Sequence, residues 1–128
     1  MASGGQYRGT LVSESLQVGA VVDAALSVHQ VSRAAAGDTE AGQPADWTFI
    51  EFSVEAEQTD ALAAELSRAL LPDGGWYCNF NSDDEVVVVF HGRVFRYRAG
   101  DRDARAEVEQ YARDLGVPDS QLDWTEPT

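Results

Sequence analysis

The sequence contains no lysine, only one cysteine, and no long apolar segment. Its longest apolar run, Val86 to Phe90, has the length of a strand, whereas a membrane-spanning helix needs about 18 or more apolar residues. The single thiol of Cys78 excludes both an intramolecular disulfide and a cysteine zinc cluster. We therefore expect no membrane-spanning helix and a fold that is stabilised by packing alone.

The first residues, Met1 to Gln6, have neither the basic stretch nor the apolar core of a secretory signal. We therefore expect a cytoplasmic location. The length of 128 residues and the hydrophobic content of 44% are sufficient for one hydrophobic core. The predicted organisation is a flexible N-terminus at residues 1–6, a single α+β domain at residues 7–124, and a C-terminal tail at residues 125–128.

Recognisable catalytic and metal-binding motifs are also missing. The serines lie outside any Gly-x-Ser-x-Gly turn, and neither His29 nor His91 has further ligands at metal-binding spacing. The acidic run Asp83 to Glu85 lacks the frame of a calcium loop, and no glycine pair has the context of a phosphate-binding loop. We predict no catalytic residue, no metal ligand and no cofactor, and hence a protein that is not an enzyme. A hydrolase or transferase that uses Asp or Glu as a general base stays a further alternative, because carboxylates are abundant and a single sequence does not show which of them converge.

Charge is the most unusual property that is present. Nine arginines against 22 acidic residues give a net charge of −13, which disfavours nucleic acids and anionic membranes as partners. The segment from His91 to Arg105 is the exception, because its five arginines face only two aspartates, a net charge of +3. One basic patch is thus expected on an acidic protein.

Apolar periodicity predicts two helices, each with one apolar stripe and a stop signal, at Asp60 to Leu71 and Asp101 to Leu115. Alternation and turn residues predict six strands, at Arg8 to Leu16, Leu26 to Arg33, Trp47 to Val54, Trp76 to Asn81, Glu85 to Phe90 and Arg93 to Arg98. We interpret Gln17 to Ala25 as a loop or one helical turn, and Ala34 to Asp46 as an exposed, mobile connector.

This β-β-β-α-β-β-β-α order predicts a largely antiparallel sheet of about six strands with two helices on one face. The strand Glu85 to Phe90 is apolar on both of its faces, so both sides of the sheet centre should be covered. The N-terminal region or another protein are the candidates for the second cover. The apolar Leu122 and Trp124 predict that the segment from Val117 to Trp124 folds back onto the domain. This segment is called the tail below, as distinct from residues 125–128.

The basic patch is a candidate anion site. Strand alternation places Arg96 and Arg98 on one face, beside Arg102 and Arg105, where paired N–H donors could hold a carboxylate or phosphate next to Tyr77. The alternative is that these arginines only neutralise neighbouring acids, as surface ion pairs worth about 0–1 kcal/mol each.

The aromatic residues are mostly expected in the core. Tyr77 or Trp47, whichever lies on the second sheet face, is the candidate for an exposed aromatic patch that would mark a partner site. Cys78 shares a strand face with Trp76 and Phe80 and is expected to be a small core residue.

Three motifs lie in the region from Trp47 to Trp124: Gly75-Trp76-Tyr77-x-Asn79-Phe80, Val88-Val89-Phe90-x-Gly92-x-Val94-Phe95-Arg96 and Gly116-Val117-Pro118-x-x-Gln121-Leu122-Asp123-Trp124. This pattern resembles a family of small uncharacterised bacterial proteins. The resemblance implies a related fold and implies no activity.

The function expected from these observations is that of a non-enzymatic cytosolic module that binds a protein partner or associates with itself. An acidic surface would suit a basic target. The alternative is a small module that binds an anionic ligand through the patch from Arg93 to Arg105.

Overall fold

The computed structural model describes residues 5–36 and 43–124. In chain order the strands and α-helices are β1 (Gln6–Val12), β2 (Leu26–Ala35), β3 (Asp46–Glu55), α1 (Thr59–Ala69), β4 (Cys78–Asn81), β5 (Glu85–Phe90), β6 (Arg93–Arg98) and α2 (Arg102–Asp114). Short 3-10 turns lie at Ser13–Ser15, Ala56–Gln58 and Asp119–Gln121. The predicted α+β class and the order of elements are confirmed.

All strand pairs in the single six-stranded sheet are antiparallel, and the strand order is β2-β3-β1-β4-β5-β6. The first strand of the chain therefore lies inside the sheet, between β3 and β4. The predicted two-residue turn joins β5 to β6, where Gly92 has a φ of +76° and its amide donates to the carbonyl of Ser67 on α1.

The prediction that both helices pack on one face of the sheet is wrong. Val87 and Val89 of β5 pack with residues of α1, whereas Val86 and Val88 pack on the opposite face with residues of α2. The five residues from Val86 to Phe90 are all fully buried, so the predicted cover on both sides is confirmed. The second cover is α2 and the following tail, rather than the N-terminal region or another protein.

The first face of the sheet, under α1, carries the larger core. Phe52, Val54, Leu62, Leu66 and Phe80 are among its members, and each is at most 2% exposed. As predicted, Cys78 belongs to this core and is 1% exposed.

Gly9 of β1 lets this core close. A Cβ at Gly9 would lie 2.5 Å from the carbonyl oxygen of Asn79, 2.7 Å from the Cβ of Phe80 and 3.0 Å from the Cζ of Phe52. Only a residue without a side chain allows β1 to cross the Phe52 and Phe80 rings this closely.

Both ends of α2 are capped. The side chain of Asp101 accepts a hydrogen bond from the amide of Ala104 at 3.0 Å, as an N-cap residue does. At the other end the amides of Gly116 and Val117 donate to the carbonyls of Arg113 and Ala112, with Gly116 at a φ of +95°. The chain therefore turns sharply after α2, and Val117 enters the second core.

The tail folds back as predicted. Leu122 and Trp124 are buried in the core under α2, and the indole Nε1 of Trp124 donates to the hydroxyl of Tyr97 at 2.9 Å. The guanidinium of Arg105 lies 4.5 Å above the Trp124 ring and donates to the Trp124 carbonyl. The tail is thus fixed against both α2 and β6.

Several boundaries differ from the prediction. β1 begins at Gln6 and ends at Val12, where a 3-10 turn follows, and β2 continues to Ala35. The segment from Gln17 to Ala25 is a loop, anchored where the amide of Gln17 donates to the carbonyl of Ala69. Residues 1–4, 37–42 and 125–128, which include most of the predicted flexible N-terminus, the middle of the predicted mobile connector and the predicted C-terminal tail, lie outside the described residues.

Neither helix within residues 5–36 and 43–124 combines the length and apolar character that crossing a membrane requires.

Candidate binding groove

The second face of the sheet, the face that carries α2, is covered only in part. α2 and the tail cover β5 and β6, whereas Arg8, Thr10 and Glu51 on β1 and β3 are exposed on this face. Two cavities, of about 390 Å³ and 370 Å³, lie between these strands and the tail. They share Thr10, Asn79 and Asp123, so we treat them as one groove.

One end of the groove is aromatic, and it is lined by Trp47, Phe49, Trp76 and Tyr77. The ring centroid of Trp47 lies 5.0 Å from that of Trp76 and 6.1 Å from that of Phe49, both at tilted angles. The Trp47 indole Nε1 donates to the carbonyl of Pro44 at 2.9 Å, which fixes this ring. Trp47 and Tyr77, the two candidates for an exposed aromatic patch, both line the groove, and each is half-buried.

The other end is polar, and it is lined by Arg8, His29, Glu51, Asn79, Asn81 and Asp123 together with backbone of β1. His29 is the extra residue at the point where the pairing of β2 with β3 shifts between Val28 and Gln30. Its Nε2 lies 2.8 Å from the Oγ of Ser53, whose side chain is buried. His29 is exposed and is held by this one hydrogen bond.

The tail forms the wall opposite β1. The hydroxyl of Tyr77 donates to the carbonyl of Gln121, and the side-chain amide of Gln121 donates to the Oε1 of Gln43 at 3.1 Å. Gln43 in turn donates to the carbonyl of Gly74 at 2.5 Å. These bonds connect the segment before β3, the loop before β4 and the tail, so the aromatic end has a fixed rim.

Burial raises the pKa of Tyr77, and the nearby carboxylate of Asp123 raises it further. The Tyr77 hydroxyl therefore stays protonated and keeps donating to Gln121 across the ordinary pH range. Burial also raises the pKa of the Cys78 thiol to about 12, so this residue carries no thiolate at neutral pH.

The arginines predicted to form an anion site are not brought together. Arg96 lies on the α1 side of β6, where it donates to Glu85 at 2.7 Å and to Asp60. The hydrogen bonds from Arg96, and then from Tyr7, hold the pKa of Glu85 below its ordinary value, although desolvation opposes this. Arg96 thus serves a network that connects the start of α1 to the sheet.

Arg105 lies on the other face of the sheet, where it donates to Glu109 at 3.0 Å and to the carbonyls of the tail. Arg98 is exposed on β6, and Arg102 is exposed in the first turn of α2. Tyr77 faces the groove and donates to Gln121. Arg96 and Arg105 thus form ion pairs with neighbouring acids, as the alternative interpretation of the patch expected.

The other residues considered as catalytic or metal-binding candidates lie in turns between strands. His91 lies in the turn between β5 and β6, and its Nδ1 is 3.0 Å from the carbonyl oxygen of Leu70. Asp83 and Asp84 are exposed in the turn between β4 and β5. In the part of the chain that the structure describes, no three His, Cys, Asp or Glu side chains are grouped so that they could hold a metal ion.

The groove itself was missed by the sequence reasoning, apart from its aromatic residues. Its lining comes from β1, β2, β3, β4 and the tail, which are neighbours only because β1 lies between β3 and β4. A usable signal was the alternation in β1, where the exposed Arg8 and Thr10 point away from the core residues Tyr7 and Leu11. That alternation indicates one sheet face without an apolar cover.

Comparison with protein-family models, curated proteins and solved structures gave no match. The case for a function therefore depends on the geometry of the groove.

Proposed function

We propose that this protein is a non-enzymatic binding protein that holds a segment of a partner protein in the groove on the second face of the sheet. The observation that carries the proposal is the groove itself, two adjoining cavities of about 390 Å³ and 370 Å³ with an aromatic end and a polar end. Concave sites with aromatic walls and a few convergent polar groups are typical of binding sites.

The dimensions of the groove favour an extended polypeptide. Its lining reaches from His29 on β2 to Asn79 on β4, which lie three strand spacings apart. At the usual distance between strands this span is about 14 Å, the length of about four extended residues. The side-chain amides of Asn79 and Asn81 can both donate and accept hydrogen bonds, as a peptide backbone requires.

The surroundings of the nucleophilic groups favour binding over catalysis. The hydroxyl of Ser53 lies next to His29, but Ser53 is only 1% exposed, so a substrate would not reach it. Cys78 is fully buried, and its raised pKa keeps the thiol protonated. Neither residue meets the need of a nucleophile for access and activation.

Selection of random displayed peptides against the purified protein tests this proposal. We expect enriched peptides whose affinity falls at least tenfold when Thr10→Trp fills the middle of the groove, because Thr10 lines both cavities. Val28→Trp is the matched control, since Val28 is exposed on β2 and lines neither cavity. Peptides that bind Thr10→Trp as tightly as the unaltered protein would overturn the proposal, and so would the absence of any enriched peptide.

Self-association is a second candidate, favoured by a specific observation at the edge of the sheet. β2 is an edge strand, and its Val28 and Val31 are 55% and 61% exposed on the same face. An exposed apolar edge strand is a template for pairing with another chain. Sedimentation equilibrium of the protein and of Val31→Lys tests this, and we expect any dimer to dissociate in the variant.

A further inference from the structure

The charge of the groove and its aromatic end together indicate which side chain of a partner it holds. This inference rests on the function proposed above, because it specifies the occupant of the same groove.

The aromatic end presents a cluster of electron-rich rings. Trp47 and Trp76 are in contact, Phe49 adjoins Trp47, and Tyr77 completes the lining. The faces of aromatic rings attract cations, with tryptophan the strongest, and the attraction grows when the cation is desolvated. Such an end suits an ammonium or guanidinium group with an aliphatic stem better than it suits an anion.

Two carboxylates line the same groove. Asp123 is exposed and lines both cavities, and Glu51 lines the polar end. Within residues 5–36 and 43–124, no ion pair joins either carboxylate to a cationic side chain. Among the described residues of the lining, Arg8 is the one arginine, so with histidine counted as neutral these residues carry a net charge of −1.

The net charge of the whole protein also favours a cationic ligand. Its net charge of −13 attracts cationic segments over a distance of about one Debye length, roughly 8 Å at physiological salt. The rim formed by Tyr77, Gln121 and Gln43 is already hydrogen-bonded, so little ordering of the groove is needed when a ligand binds.

We infer that the groove binds a lysine or arginine side chain of a partner protein, with its stem and head group against Trp47 and Trp76 and its charge beside Asp123. The neighbouring residues of the partner then cross the sheet towards His29. The partner is accordingly a protein with an exposed, extended, basic segment.

An NMR titration of the ¹⁵N-labelled protein tests the inference with blocked single amino acids. The probes are N-acetyl-arginine amide and N-acetyl-lysine amide, and their controls are the neutral isosteres N-acetyl-citrulline amide and N-acetyl-norleucine amide. We expect the indole signals of Trp47 and Trp76 to shift with the cationic probes. The backbone amide signal of Val108 should stay in place, because Val108 is buried on α2 and lines neither cavity.

We expect the cationic probes to bind at least fivefold more tightly than their neutral isosteres. Asp123→Asn should weaken the binding of both cations at least fivefold. Glu107→Gln is the matched control, since it removes the same charge from an exposed position on α2 outside the groove. Equal binding of arginine and citrulline amides, or no indole shift up to the solubility limit of the probes, would overturn the inference.

The peptide selection separates this inference from the function on which it rests. Enriched peptides that are sensitive to Thr10→Trp and rich in lysine or arginine would support both. Peptides that are sensitive to Thr10→Trp but neutral or acidic would leave the proposed function standing and overturn the cationic occupant. Peptides whose affinity is unchanged by Thr10→Trp would overturn both the proposed function and the cationic occupant.

Discussion

The two halves of the sheet differ in how completely they are covered. In the half made of β4, β5 and β6, helices pack on both faces, and the residues from Val86 to Phe90 have no exposed surface. In the half made of β2, β3 and β1, α1 and the adjoining loop cover one face, while Arg8, Thr10 and Glu51 are exposed on the other. The same sheet is thus a closed core at one side and an open surface at the other.

The sequences of the central strands explain this difference. β5 is apolar at consecutive positions, so either face would be costly to leave in water. β1 alternates, with Tyr7 and Leu11 towards the core and Arg8 and Thr10 towards solvent. A strand with strict alternation leaves one face free to bind, and this face carries the groove.

The largest expected effect on stability is the difference between two single substitutions, each of which removes one aromatic ring from one half of the sheet. Phe90 is fully buried and packs against the rings of Tyr77, Phe95 and Tyr111, so Phe90→Ala should lower the free energy of unfolding by about 3–5 kcal/mol. Phe49 in the open half is half-buried, and Phe49→Ala should cost about 1–2 kcal/mol. Urea denaturation measures both, and equal losses would contradict the contrast between the halves.

A smaller effect is expected where the halves meet. Gly9→Ala places a methyl group against the Asn79 carbonyl and the Phe80 side chain, and overpacking of this kind costs about 1–3 kcal/mol. Thr10→Ala, at the exposed neighbouring position, is the control and should change the stability by less than about 0.5 kcal/mol. If Gly9→Ala is as stable as the control, β1 does not cross the core as closely as described.

The hydrogen bonds that Glu85 accepts from Tyr7 and Arg96 should make the free energy of unfolding depend on pH in the acid range. Glu85→Gln should cost about 1–2 kcal/mol at neutral pH, because the carboxylate accepts hydrogen bonds from Tyr7 and Arg96. Since the folded pKa of Glu85 is lowered, its contribution is present above the unfolded pKa of about 4.3 and is lost as the pH falls through the folded pKa.

Urea denaturation of both proteins between about pH 7 and pH 3 measures this, and the difference between them should shrink as the pH falls. Glu51→Gln, an exposed carboxylate on the open half, controls for the removal of one negative charge from an acidic protein. A difference that is constant over this range would show that Glu85 does not contribute through its ionised form.

The smallest expected effect concerns the rim of the groove. Tyr77→Phe removes the hydrogen bond to Gln121 and should cost about 0.5–1.5 kcal/mol. The tail should loosen locally, so the amide of Leu122 should exchange its hydrogen faster while the amide of Val87 is unchanged. Uniformly faster exchange would indicate global destabilisation and would contradict the local role of Tyr77 in holding the rim.

Local patterns were sufficient to predict the elements of this fold. The apolar stripes of α1 and α2, the turn at Gly92 and the return of Trp124 to the core all follow from residue spacing and burial preference. The faces of the helices could not be assigned in this way. The apolar run of β5 predicts that both faces are covered but does not say which helix covers which face.

The groove was beyond prediction for a related reason. Asp123 and Thr10 are distant in sequence and line the same groove because the tail folds back onto the sheet, which alternation along one strand does not encode. The predicted arginine patch shows the reverse case, in which residues close in sequence are distant in the fold. Arg96 and Arg105 are close in sequence, but they lie on opposite sides of the sheet, because one is on β6 facing α1 and the other is on α2.

The position of β1 inside the sheet also bears on the time the chain needs to fold. β1 is formed by residues 6–12, yet it pairs with β3 where Gln6 meets Glu55 and with β4 where Arg8 meets Asn81. Closing loops this long costs chain entropy before the contacts repay it, which slows folding. We expect refolding on the scale of milliseconds to seconds, with the edges of β3 and β4 open to other chains until β1 inserts between them.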